Sequence, residues 1–208
     1  MTLRSAGVAP EVMVSGLDED EITAPSPADL VQALAIAKAA AVATELSMAA
    51  SGDVCGEVGG EVGGEVGGDV LVLGCDSLLE FRGEALGKPA NEEEAVARWK
   101  QLRGRGGMLH TGHTLMLLRN FEIVDAKTKL ASTEVRFGYP SDDEIDAYVA
   151  TGEPLRVAGA FTIDGHGGWF VDRIIGDHHN VVGLSLPVLR TMLIELGLGI
   201  ADLPAVST

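Results

Sequence analysis

The stretch from Asp69 to Pro89 constrains the fold most. Val70 to Leu73 is an uninterrupted aliphatic run with turn chemistry on both sides, which reads as a short strand buried on both faces of a sheet. It is followed by Gly74-Cys75-Asp76-Ser77, so the carboxylate of Asp76 is expected at the carboxyl edge, where open α/β sheets usually carry their chemistry. Twelve residues on, Gly87-Lys88-Pro89 sets a cation between a flexible glycine and a rigid proline, in a loop able to fold back to the same edge. A carboxylate and a lysine facing one pocket suit a phosphate ester with a metal or water. The same spacing also suits an Asp capping a turn and a solvated Lys.

With 208 residues, 46% of them hydrophobic, the chain can build one domain with a substantial core or two closely packed lobes. Fifteen Lys and Arg against 31 Asp and Glu give a net charge of −16, which repels polyanions and argues against a nucleic-acid polymer as the main partner. A small anionic substrate would need a local basic cluster or a divalent cation. No run reaches the roughly 18 apolar residues of a membrane span, and no secretory leader pattern opens the sequence, so the expected location is cytoplasmic with no membrane partner. Cys55 and Cys75 are too few for a disulfide scaffold and lack zinc-ligand spacing; Cys75 reads as a small buried residue beside Asp76.

Along the chain, residues 1–8 read as the last turn of a helix stopped at Gly7, and Glu11 to Val14 as a short strand. Leu17 to Glu21 is an acidic loop. Ser26-Pro27-Ala28-Asp29 starts a helix, with Ser26 as cap, and the alanine-rich run to Met48 continues it. Ser51 to Gly68 holds three consecutive Gly-Glu-Val-Gly units, whose paired glycines make helix and strand both costly, so residues 51–68 read as a flexible acidic insertion. Asn91 caps a helix through Leu102, with Ala95, Trp99 and Leu102 on its core face. Leu109 to Leu118 and Ile123 to Phe137 form two long antiparallel strands, which puts His110 and His113 on opposite faces and counts against a shared metal. Ser141 to Glu144 is a capping box for a helix stopping near Gly152. Asp177-His178-His179-Asn180 reads as a turn satisfied by its Asp and Asn, and a last helix runs from about Ser185 to Gly197.

Gly74-Cys75-Asp76-Ser77 followed by Leu86-Gly87-Lys88-Pro89 resembles the "G-A-D-T … G-K-P" core of the Maf family of nucleoside triphosphate pyrophosphatases. The resemblance continues in order through Thr111-Gly112, Thr133 to Phe137, Tyr148 to Leu155, Ala158 to Phe161 and Gly176 to Leu184. It implies an α/β fold: a single Maf-like domain over 1–208, with a mixed sheet, flanking helices and two lobes around a central cleft. It implies hydrolysis of a nucleoside triphosphate, with modified nucleotides among the possible substrates, to a monophosphate and pyrophosphate. It also implies a divalent cation, Mg²⁺ or Mn²⁺, and a possible homodimer.

Carried over residue by residue, the resemblance makes Asp76 a base or metal-bound carboxylate. Glu19, in the family's "D-E" pair, becomes its partner on the metal. Lys88 and Lys38 become phosphate contacts, and Ser77 and Asp164 specificity positions. The family's "S-x-S-P-R-R" loop and first strand, expected ahead of this point, are missing here; either the start lies downstream of the natural one, which is the favoured expectation, or the protein has lost a central strand and a phosphate-binding loop. Where many members read "D-K-A-G", Arg156 and Val157 replace the carboxylate and the lysine, and Asp164 stands in place of a base-selecting glutamine. Selection of thymidine or uridine nucleotides therefore does not carry over. The alternative function is a non-catalytic regulator of cell division, or a sensor that binds nucleotide without turnover.

Overall fold

The structure, a computed structural model, describes residues 2–51 and 68–206. The 51–68 insertion therefore lies almost wholly outside the described residues. Five strands, β1 (Val70–Phe81), β2 (Glu84–Leu86), β3 (Gly106–Arg119), β4 (Glu122–Phe137) and β5 (Val171–Ile175), form one sheet in the order β2-β1-β3-β4-β5. The expected α/β class with flanking helices is what is found; the sheet expected to be mixed is instead antiparallel in every pairing among the described strands, since consecutive strands join as hairpins or return on neighbours.

The aliphatic run of β1 does not stop at Gly74. Residues 70 to 80 pair one for one with β3, Val70 opposite Leu118 through Glu80 opposite Met108. A partner of that length keeps the whole segment extended, so Asp76 and Ser77 lie in the middle of a strand rather than at its carboxyl edge. Being adjacent, they point to opposite faces. The expected β3–β4 hairpin is present; its turn holds Asn120 and Phe121 at positive φ, 50° and 62°.

One face carries Val72, Gly74, Asp76, Leu78 and Glu80 of β1, with Met116, Gly112 and His110 of β3 across from them. It is covered by α2 (Pro27–Ser51), started by Ser26, whose Oγ accepts from the Asp29 N–H at 3.1 Å. A Cβ at Gly74 would overlap the Ala35 carbonyl oxygen, and one at Gly112 would overlap that of Val31. These two glycines therefore let helix and sheet backbones touch. By length and composition alone α2 could cross a bilayer. Here its alanine face packs on the sheet instead, with Ala39 and Ala43 against Val72, Met116 and Leu118.

The opposite face is covered twice. Helix α6 (Leu186–Glu195) sets Leu189, Met192 and Leu193 on Leu115. Helices α3 (Glu92–Leu102) and α4 (Asp142–Val149) build the main core with Leu79, Leu109, Val135 and Phe137. Trp99, fully buried there, meets Phe137, Tyr148 and Phe170 edge to face and donates from Nε1 to the Ala160 carbonyl at 2.8 Å. The Asn91 cap and the Ser141–Glu144 capping box form as expected.

At the amino terminus α1 (Thr2–Ser5) ends before Gly7, whose φ is +85°. Glu11 to Val14 is not a strand. It has no strand pairing among the described residues, and Val12 and Val14 are 83% and 86% exposed, so alternation without a neighbouring strand there leaves the segment irregular.

Candidate active site

Three of the residues singled out in the sequence meet on the α2 face. Asp18 accepts from the Asp20 N–H and so starts a single helical turn, Glu19–Glu21, which presents Glu19 toward α2. Lys38 of α2 sets its Nζ 2.6 Å from Asp76 Oδ1 and 2.8 Å from Glu19 Oε1. Burial decreases inward to outward from Asp76, whose side chain is 11% exposed, through Lys38 at 21% to Glu19 at 50%. The ammonium thus bridges two carboxylates that come from segments 57 residues apart.

The electrostatics follow from that arrangement. Burial raises the Asp76 carboxyl above the ordinary range, and Glu19 adds to the rise, against the lowering pull of Lys38 and of the Lys88 charge. Burial alone would lower Lys38, but its hydrogen bonds to Asp76 and Glu19 prevail and hold it as a cation. Asp76 is therefore an unusually basic carboxylate held beside a fixed positive charge. Next to it, Cys75 is pushed up to about 12 by burial and by the Asp76 charge, so it is an inert thiol.

Lys88 is exposed on the loop after β2, near enough for its charge to act on Asp76. Ser77 and Asp164 are not brought to this cluster. Ser77 lies on the other face, its Oγ 2.8 Å from Thr111 Oγ1. Because Thr111 donates to the Asn180 carbonyl at 3.1 Å, Ser77 is the donor to Thr111. Asp164 is exposed in a turn and makes no side-chain hydrogen bond or ion pair among the described residues.

The segment Asp177 to Asn180 is helical rather than a plain turn: α5 (His178–Val182), capped by Asp177 and ended by Gly183 at φ +113°. Fully buried Asn180 donates from Nδ2 to the Leu109 carbonyl at 3.2 Å and to Thr133 Oγ1 at 3.0 Å, tying α5 to the sheet. His113, also fully buried, accepts at Nε2 from the Ser185 N–H at 2.8 Å and so anchors the start of α6. His110 and His113 do lie on opposite faces, and no cluster of three metal-ligating side chains occurs among the described residues.

One structural residue escaped the sequence reading. Glu153 accepts at Oε1 from Tyr148 Oη, Thr162 Oγ1 and the Gly167 N–H, and at Oε2 from the His166 N–H, all within 2.6–2.9 Å. Burial alone would raise its carboxyl, but those donors outweigh it and hold Glu153 down at about 2. The Gly-Glu-Pro turn was visible; the donors converging on it, up to 14 residues away, were not.

The family model described as Maf-like protein matches residues 1–196. A protein of Streptomyces coelicolor named nucleoside triphosphate pyrophosphatase is 55% identical over 201 residues, which is 97% of this chain and 87% of that protein. Proteins with the same name from Salinispora tropica and Nocardia farcinica are 48% and 46% identical, each over 97% of this chain and over 81% and 89% of their own lengths. Matched by the family model over nearly its whole length and by relatives of this similarity, the chain belongs to the Maf-like family.

Proposed function

We propose that this chain hydrolyses nucleoside triphosphates between the α and β phosphates, releasing a nucleoside monophosphate and pyrophosphate. The observation that carries the reading is the Lys38 ammonium bridging Asp76 and Glu19 on the α2 face, with Lys88 alongside. Its relatives' shared name supports it.

Water attacking phosphorus must lose a proton, and negative charge spreads over the phosphoryl oxygens. Asp76, buried and basic, accepts that proton. Lys38 and Lys88 neutralise the charge that develops as the new P–O bond forms and the bridging P–O bond breaks, its electron pair leaving with pyrophosphate. Without substrate, Lys38 is held by the two carboxylates. An arriving triphosphate competes for that ammonium, and the shift of Lys38 toward phosphate frees an Asp76 oxygen for the proton.

The donor set also fits a hard divalent cation. Two carboxylates with Oδ2 and Oε2 outside the Lys38 bridge are the usual protein share of a Mg²⁺ or Mn²⁺ site completed by substrate phosphates and water. Bound there by Asp76 and Glu19, the ion would supply Lewis-acid polarisation of the phosphate. Ser77, on the opposite face, acts through the α5 anchor, and Asp164 is free to meet substrate at its turn. The packing of α2 on the sheet supports a cytoplasmic protein with no membrane partner, acting on small nucleotides rather than nucleic acid, and a homodimer is the assembly the family resemblance favours.

The test is pyrophosphate release by the purified full chain with Mg²⁺ or Mn²⁺ over canonical and modified triphosphates. Metal-dependent release is expected. Nucleotide binding by folded protein without release would replace the enzyme with a sensor, and absence of binding would favour the regulator.

A further inference from the structure

Beyond Asp76 the same sheet face carries a second polar group, separate from the first. Glu80 is two pleats further along β1, with Leu78 between them. His110 of β3 lies directly across from Leu78, and Ser132 of β4 directly across from His110. His110 is 8% exposed and is gripped at both ring nitrogens: Nε2 is 3.0 Å from Glu80 Oε2, and Nδ1 is 2.8 Å from Ser132 Oγ. The Glu80 side chain keeps 33% of its surface open, and its Oε1 has no partner among the described residues. A buried imidazole fixed by a serine thus holds one oxygen of a carboxylate and leaves the other available.

Four residues of strand separate Asp76 from Glu80 by about 13 Å. That exceeds a Debye length of about 8 Å at physiological ionic strength, so Glu80 opposes phosphates bound at Lys38 only weakly. It is comparable to the reach from an α-phosphorus across the sugar to the far edge of its base. Leu78 supplies an apolar floor in between. A carboxylate only accepts hydrogen bonds, so at that distance it favours a base edge that offers an amino group and disfavours one that offers a carbonyl.

We infer that Glu80, positioned by His110, reads the base and directs the site toward amino-bearing bases, with cytidine preferred to uridine nucleotides. The inference rests on the pyrophosphatase reading for the place of the phosphates. CTP and UTP make the cleanest pair, since they share sugar, phosphates and ring and differ only at the 4-substituent, an amino group against a carbonyl, and in the hydrogen that uracil carries at N3.

The experiment measures equilibrium binding of the α,β-methylene analogues of CTP and UTP to the full chain and to Glu80→Gln, His110→Gln and Asp164→Asn, with turnover of CTP and UTP alongside. Wild type should prefer the CTP analogue by roughly 10- to 100-fold. Glu80→Gln, which can donate to a carbonyl, should abolish or invert that ratio. His110→Gln should narrow it without abolishing binding, a readout that a merely structural role would leave unmoved. No preference in wild type, or a preference that survives Glu80→Gln and disappears in Asp164→Asn, overturns the inference. Turnover judges the parent reading separately: a base preference without hydrolysis would sink the enzyme and keep the base reader.

Discussion

The two faces of β1 hold polar residues side by side in sequence and use them in opposite ways. Asp76 faces α2, where it shares one ammonium with Glu19 in a cluster that becomes more exposed outward. Ser77 faces α5, where Ser77, Thr111, Asn180 and Thr133 bond to one another and to backbone at 2.8–3.2 Å. The first group is charged and, in the proposed reaction, exchanges its partners for a ligand. The second is neutral and mostly buried, with most of its polar atoms paired within the protein though Asn180 Oδ1 has no partner among the described residues, an arrangement that ties α5 to the sheet. Polarity in a strand therefore says little about function until its face is known.

The largest effect should come from the charged face. Asp76→Asn removes the proposed proton acceptor while keeping the shape, and turnover should fall by about 10²- to 10⁴-fold; steady-state pyrophosphate release measures it. Next is the glycine on which that face depends. Gly112→Ala puts a methyl group into the Val31 carbonyl, so α2 must lift and carry Lys38 with it. A loss of about 1–3 kcal/mol in denaturant unfolding is expected, together with weaker triphosphate binding. On the neutral face, Asn180→Leu removes the donors to Leu109 and Thr133 and should cost about 1–3 kcal/mol, with the catalytic constants of the folded protein kept.

The smallest effect concerns pH. Glu153 is held at about 2 in the folded protein, below its ordinary 4.5. Its charge therefore contributes stability that is fully present above pH 4.5 and is lost as pH falls toward 2. Wild type should melt above Glu153→Gln at pH 7, and the gap should narrow steadily below pH 4.5. A gap independent of pH would mean that shape, not charge, holds the turn.

Much of this was legible in the sequence. The resemblance picked out Glu19, Lys38 and Asp76, which do meet. Local chemistry placed the Asn91 cap, the Ser141 capping box and the β3–β4 hairpin, because each depends on residues a few positions apart. What was hidden depends on the partner strand. Gly74 looked like the end of a short strand, but β3 pairs with β1 as far as Glu80, and the glycine is there for the approach of α2. The same extension moved Ser77 to the other face. Glu80 and His110 are 30 residues apart, and only the β1–β3 register brings them together.

The most direct test of the division between faces is one paired measurement, pyrophosphate release and thermal melting on Asp76→Asn and Asn180→Leu side by side. The account predicts that Asp76→Asn stays folded and loses nearly all turnover, while Asn180→Leu melts several degrees lower and keeps its turnover when folded. An Asp76→Asn protein that keeps half its activity would contradict it.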